Sequence, residues 1–206
     1  MKVKICGLTR VEDAIAAAAA GADYVGLNFW PGSRRHVAVA VARAIAAALP
    51  PGVIKVGVFV NAPAGEIEAT AAEVGLELVQ LHGDESVAFC RPFAARAIRA
   101  VRVAVADDLS VLADHPAALF LLDAHAPGYG GTGRTVDWGL AAAAHAHGRP
   151  FFLAGGLTPE NVAEAARAVR PFGVDVAGGV ESAPGIKDHD RLRRFVAAAK
   201  GNAWRP

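Results

Sequence analysis

Eight short apolar runs, spaced roughly 20 to 30 residues apart and separated by alanine-rich stretches, constrain this chain more than any other feature. The runs are Lys2–Cys6, Tyr24–Phe29, Ile54–Val60, Leu78–Leu81, Ile98–Val103, Leu119–Asp123, Phe151–Ala154 and Val174–Ala177. They are rich in β-branched and aromatic residues and lack clean polar–apolar alternation, as parallel strands covered on both faces do. The stretches between them read as helices over Val11–Ala20, Val39–Leu49, Ala64–Val74, Glu85–Phe93, Leu109–Ala113, Trp138–His147, Asn161–Val169 and His189–Lys200. Thr158-Pro159-Glu160 offers a capping residue followed by proline at the first helical position, and Asp188 precedes the last helix.

Eight strands alternating with eight helices form either a doubly wound open sheet or a closed barrel. The turn after the first strand, Cys6-Gly7-Leu8-Thr9-Arg10, is not the glycine fingerprint that an open dinucleotide-binding sheet carries there. The expectation is an α/β fold, a (β/α)8 or TIM barrel, as a single catalytic domain over residues 1–206, at the small end of its class. No linker or low-complexity segment divides it.

Composition excludes several functions. The formal net charge is +1 with no basic run, which argues against nucleic acid as a partner. Hydrophobic residues make up 53% of the chain, largely as alanine, but no window holds the roughly 18 to 20 unbroken apolar residues of a membrane span. The start, Met1 to Gly7, lacks the apolar segment of an export signal, so a soluble, cytoplasmic protein is expected. Cys6 and Cys90 make neither a disulfide framework nor, with the histidines, a zinc pattern.

In a barrel, chemistry sits on the loops that follow the C-terminal ends of the strands. Cys6 ends the first strand, Ser33-Arg34-Arg35 follows the second, Gln80-Leu81-His82-Gly83 closes the fourth and Asp123 the sixth. Gly155-Gly156 and Ala177-Gly178-Gly179 follow the last two, where barrels commonly hold phosphate on backbone N–H groups. Each glycine pair either makes a tight turn or admits an anion. Cys6 is an inert core thiol or a reactive one. Asp123, delivered by the apolar run Leu119–Leu122, must be paired, capping or catalytic. His82 is a ligand, a substrate contact or a satisfied structural histidine, and the two arginines suit an anionic substrate or solvent. Cys90 reads as core, and His145 and His147 as surface.

Taken together, Lys4-Ile5-Cys6-Gly7-Leu8-Thr9, Ser33-Arg34-Arg35, Val56–Val60, Gln80-Leu81-His82-Gly83, Leu122-Asp123 and Tyr129-Gly130-Gly131-Thr132-Gly133 with Asp137-Trp138 follow a known order and spacing. Gly155–Val162, Val174-Asp175-Val176, Gly179-Val180-Glu181 and Pro184–Asp188 continue it. Over nearly its whole length the chain resembles the phosphoribosylanthranilate isomerase family of tryptophan biosynthesis. The resemblance implies an Amadori rearrangement of N-(5-phosphoribosyl)anthranilate to 1-(2-carboxyphenylamino)-1-deoxyribulose 5-phosphate, without metal or organic cofactor, by a monomer or homodimer. It places the general base on Cys6, the general acid on Asp123, substrate contacts on Arg35, His82 and Asp175, and phosphate contacts on Gly155, Gly156, Gly178 and Gly179. Two departures stand out: Ala177-Gly178-Gly179 replaces the family's Ser-Ser-Gly or Ala-Ser-Gly, and Arg34 replaces a proline. The first removes a hydroxyl able to face phosphate.

A cysteine base must be thiolate and an aspartate acid must be protonated. At ordinary pKa values thiolate is ~3% and neutral aspartate ~0.1% at pH 7, so the site is expected to draw the two together. Burial would raise Asp123, and a cation such as Arg35 would lower Cys6. Alternatives are another phosphosugar barrel enzyme or a barrel that binds its ligand without turnover. A histidine-pathway isomerase would carry a carboxylate where Cys6 stands, and a pentose-phosphate epimerase needs a His/Asp metal set that cannot be assembled here.

Overall fold

A computed structural model describes residues 1–124 and 136–201. The Tyr129–Gly133 segment of the resemblance lies outside the described residues. Along the chain run β1 (Lys2–Cys6), α1 (Val11–Ala20), β2 (Tyr24–Asn28), α2 (Val39–Ala48), β3 (Ile54–Phe59), α3 (Ala64–Val74), β4 (Leu78–Leu81) and α4 (Val87–Cys90). They continue with β5 (Ala97–Val103), α5 (Val111–Asp114), β6 (Leu119–Ala124), α6 (Trp138–Ala143), β7 (Phe151–Leu153), α7 (Val162–Val169) and β8 (Gly173–Val176). A short hairpin, β9 (Glu181–Ala183) and β10 (Ile186–Lys187), precedes α8 (His189–Ala199). Strands β1 to β8 pair in sequence order, all parallel, and β8 closes on β1.

Alternation hidden in the sequence becomes visible once the barrel closes. Val3, Ile5, Val25, Leu27, Phe120 and Leu122 join the helices in one large core. Tyr24, Val56, Ile98, Leu119, Leu121 and Phe152 form a second cluster drawn from β2, β3, β5, β6 and β7, with no helical residue in it, which places it inside the barrel. Both faces are apolar, so the sequence reads as unbroken runs. The inward residues nearest the C-terminal ends, by the same period of two, are Cys6, Asn28, Val58, Gln80, Asp123 and Asp175.

Whereas the hairpin β9–β10 is not among the runs read from the sequence, the eight barrel strands and the longer helices appear within a residue or so of them. Three helices do not. The Glu85–Phe93 stretch is one α-turn followed by a 3-10 segment, Arg91–Arg96, because Pro92 has no N–H to continue an α-helix. Around Leu109–Ala113 the chain forms a 3-10 segment, Ala106–Ser110, and the single turn α5. The Trp138–His147 stretch tightens to 3-10 geometry from Ala144 and stops at Gly148, whose φ is 63°. Asp188 does cap its helix, accepting from the backbone of Asp190 and Arg191.

The cap expected at Thr158 is corrected. Helix α7 begins at Val162 after Asn161, whose side-chain oxygen accepts from Thr158 N at 2.8 Å while its nitrogen donates to Gly156 O at 3.0 Å. Asn161 is thus spent on fastening the Gly155–Gly156 loop rather than on capping α7.

Candidate active site

At the C-terminal mouth lies a cavity of about 480 Å³ lined by all nine residues singled out from the sequence: Cys6, Arg35, His82, Asp123, Gly155, Gly156, Asp175, Gly178 and Gly179. That volume suits a small-molecule ligand. Asn28, Trp30, Val58 and Gln80 also line it, and the sequence reading had assigned them no role. Gln80 could have been found by its spacing, since it sits two positions before His82 inside an otherwise apolar strand.

Cys6 ends β1 and Asp123 stands near the end of β6, three strands apart by the shorter way round. Ala124 N donates to Asp123 Oδ1 at 2.8 Å. Across from it, His82 Nε2 is 3.7 Å from Asp123 Oδ2, and Gln80 Nε2 meets His82 Nδ1 at 2.7 Å. His82 Nε2 and Gln80 Oε1 are buried and, among the described residues, make no hydrogen bond. Buried polar atoms without partners carry a free-energy cost that ligand hydroxyls can remove.

The two glycine loops hold their shapes for different reasons. Gly155 and Gly156 have φ of 82° and 62°, left-handed values that favour glycine, and a Cβ on Gly155 would meet Ala124 N at 2.8 Å. Gly179 is required by close approach, because its Cβ would lie 1.9 Å from Leu157 O. Gly178 is freer: its φ is not left-handed, and a Cβ would meet only Arg35 Nη2, at 3.1 Å, and Glu181 Oε2.

Arg35 is not the free anion receptor that its loop position suggested. Its Nε and Nη2 donate to the two carboxylate oxygens of Glu181, both at 2.8 Å. Glu181 also accepts from Lys187 Nζ at 2.9 Å. Lys187, wholly buried at its side chain, donates in addition to Cys6 O at 2.6 Å and Ala177 O at 3.1 Å. The hairpin therefore supplies a charged clamp joining β1, β8 and the Arg35 loop. Burial works to raise the Glu181 pKa, but Arg35 and Lys187 outweigh it and hold the carboxyl below its ordinary value. Burial pulls Lys187 down against the opposing pull of Glu181.

One electrostatic expectation is overturned. Burial raises the Cys6 pKa above its ordinary value, outweighing the cations that oppose it. These are Lys4 and Lys187, joined by Arg35, whose charge is shared with Glu181. Lys4 is itself buried inside β1 and donates to Asp175 Oδ1 at 2.7 Å. Asp175 thus already has a cationic partner. Among the described residues, no group of three or more His, Cys, Asp and Glu side chains is placed to hold a metal ion, and no helix is long and apolar enough to cross a membrane.

Fold and cavity together define the class of protein, a (β/α)8 barrel with a ligand-sized cavity at the C-terminal mouth, the face on which barrels of this kind carry their active sites. A sequence model described as N-(5'phosphoribosyl)anthranilate (PRA) isomerase matches residues 3–198. The N-(5'-phosphoribosyl)anthranilate isomerase of Magnetococcus marinus is 53% identical, over 97% of this chain and 95% of that one. The crystal structure of the Thermotoga maritima phosphoribosyl anthranilate isomerase superposes with a TM-score of 0.91 at 46% identity, covering 98% and 99% of the two chains. Another solved phosphoribosyl anthranilate isomerase, 43% identical with a TM-score of 0.88 over 98% and 99% of the chains, is in complex with reduced 1-(o-carboxyphenylamino)-1-deoxyribulose 5-phosphate. The chain belongs to the N-(5'-phosphoribosyl)anthranilate isomerase family.

Proposed function

We propose that Cys6 and Asp123 divide the proton transfers of this isomerisation between them, and that the two glycine loops hold the substrate's phosphate. The activity follows from the family: the enzyme converts N-(5'-phosphoribosyl)anthranilate to 1-(2-carboxyphenylamino)-1-deoxyribulose 5-phosphate by an Amadori rearrangement in tryptophan biosynthesis. The observation that carries the assignment of roles is the gathering of all nine residues around one cavity. Protonated Asp123 gives its proton to the furanose ring oxygen as the C1'–O bond breaks, leaving a Schiff base to the anthranilate nitrogen. Cys6 thiolate then removes the proton from C2', and the resulting enolamine tautomerises to the ketone. His82 Nε2 and Gln80 Oε1, which have no hydrogen-bond partner among the described residues, are offered to sugar hydroxyls beside Asp123. In this reading Arg35 meets the substrate with its charge already balanced by Glu181, so it orients the ligand more than it attracts it.

The phosphate assignment rests on backbone N–H groups at the ends of β7 and β8. A crystal grown in sulfate should show the anion within hydrogen-bonding distance of the nitrogens of Gly156, Gly178 and Gly179. An anion bound instead at Arg34, with these loops empty, would sink it. We further take residues 1–206 as one catalytic domain that acts on a phosphorylated small molecule in the cytoplasm, as a monomer or a homodimer.

Gly178→Ser tests the departure from the family. Its backbone conformation suits any residue, and the added Cβ asks the end of the Arg35 side chain to move by a few tenths of an ångström. The serine hydroxyl adds one donor toward the phosphate, a bond whose net worth in a hydrated site is about 1 kcal/mol. KM should therefore fall about fivefold while kcat stays nearly constant, because phosphate is held equally in ground and transition states. A raised KM would show that Glu181 holds Arg35 too firmly to yield.

A further inference from the structure

A lysine inside a barrel strand calls for a physical reason. The Lys4 side chain is 0% exposed, and a buried ammonium is costly unless it is paired. Its partner Asp175 stands opposite it in the β1–β8 register. Yet a buried lysine–aspartate pair is in general no more stabilising than apolar side chains of the same size. Stability alone does not account for it.

Cys6 lies two positions along β1 from Lys4, on the same inward face. Its register partner is Gly26, where a Cβ would come within 2.6 Å of the Cys6 sulfur. The sulfur therefore occupies space that a side chain on β2 would take, and the Lys4 ammonium interacts with it as well as with Asp175. The other charged groups facing Cys6 are Asp175 from β8 and Lys187 from β10, with Glu181 and Arg35 behind Lys187 and with Asp123 and His82 across the mouth. Lys187 donates to three acceptors, so it is an ammonium with all its N–H groups in use. On the Cys6 side of the mouth, among the described residues, three cations (Lys4, Lys187 and Arg35) face two carboxylates (Asp175 and Glu181). The surplus is one positive charge, and a thiolate at Cys6 neutralises it.

We propose that Lys4 is a positioning residue whose ammonium, held in place by Asp175, is the countercharge for the Cys6 thiolate. This rests on the reading of Cys6 as the base. Asp175 then acts through Lys4: it fixes the ammonium and competes with the thiolate for it.

The pH dependence of Cys6 alkylation by iodoacetamide, followed by mass spectrometry on the full chain, tests the idea without relying on turnover. Lys4→Met should move the alkylation midpoint up by about one pH unit, which lowers reactivity at neutral pH about tenfold. Asp175→Asn should move it down, because the ammonium loses its competing partner. Lys4→Met leaves Asp175 buried without a partner, so Lys4→Met/Asp175→Asn serves as the neutral pair if the single variant does not fold. Its midpoint should lie at least about one pH unit above that of Asp175→Asn. Identical midpoints in these folded variants would overturn the proposal. The pH profile of kcat should follow the same shift. Substantial turnover by Cys6→Ala would overturn the assignment of the base, while the alkylation midpoints still report on Lys4.

Discussion

Cys6→Ala and Asp123→Asn should each slow turnover by about 10²- to 10⁴-fold, with KM changed by less than about threefold. The split follows from where the groups lie. Asp123 Oδ1 lies against Gly155, but neither side chain is itself assigned to the phosphate, so ground-state binding survives their loss, whereas each is the sole assigned donor or acceptor for one proton transfer. The two losses should differ in size. Among the described residues, the charged neighbours of Cys6 are poor replacements: Lys4 and Lys187 are ammonium groups already donating to other acceptors, and the Asp175 carboxylate is held by Lys4. Asp123 has an imidazole nitrogen 3.7 Å away, and His82 can pass a proton in its stead. The Asp123→Asn variant should accordingly keep more activity than Cys6→Ala, and Asp123→Asn/His82→Asn should lose most of that remainder. Steady-state kinetics on the purified variants measure all three. Retention of more than about a tenth of the parent's turnover by either single variant would remove that residue from the assigned chemistry.

The second large effect belongs to Glu181, which balances Arg35 and Lys187 at once. Glu181→Gln keeps the shape and removes the charge, leaving two desolvated cations beside a neutral amide. Removing one partner of a buried ion pair costs about 3 to 5 kcal/mol, and denaturant unfolding should register a loss of about that size. The pH dependence has a definite sign. A carboxyl whose folded pKa is depressed contributes stability that is complete above its unfolded pKa and is lost as pH falls through the folded one. The parent should therefore shed this contribution below about pH 4, and the stability of Glu181→Gln should change less over the same range. A variant as stable as the parent at neutral pH would mean that water, not Glu181, compensates the two cations.

Much of the fold is legible from the order of residues. A strand buried on both faces is an apolar run whatever surrounds it, and a connecting helix between parallel strands needs a stretch of matching length. Lys2–Cys6, Val11–Ala20, Ala64–Val74 and Leu78–Leu81 are recovered to the residue. Glu85–Phe93 and Trp138–His147 fail differently: Pro92 interrupts the first, and in the second packing turns the end of an alanine-rich segment to 3-10 geometry. Thr158 misleads because a capping side chain can serve a turn as well as a helix, and Asn161 decides which by bonding back to Gly156.

For the site, residue order alone specifies which chemistry stands at the strand ends: a thiol at the end of β1, a histidine after β4, a carboxylate near the end of β6 and glycines after β7 and β8. The barrel's connectivity then obliges all of them to share one mouth. Their electrostatic state is set only once the barrel has closed. Glu181 lies 146 positions from Arg35, and Asp175 lies 171 from Lys4, so no local pattern marks either pair. Solvent exclusion likewise depends on every element packed around a group, which is why burial raised the Cys6 thiol when the sequence led us to expect a lowering. Side-chain identity and strand order are properties of the chain, but desolvation and charge pairing arise only when segments remote in sequence close around the same few ångströms.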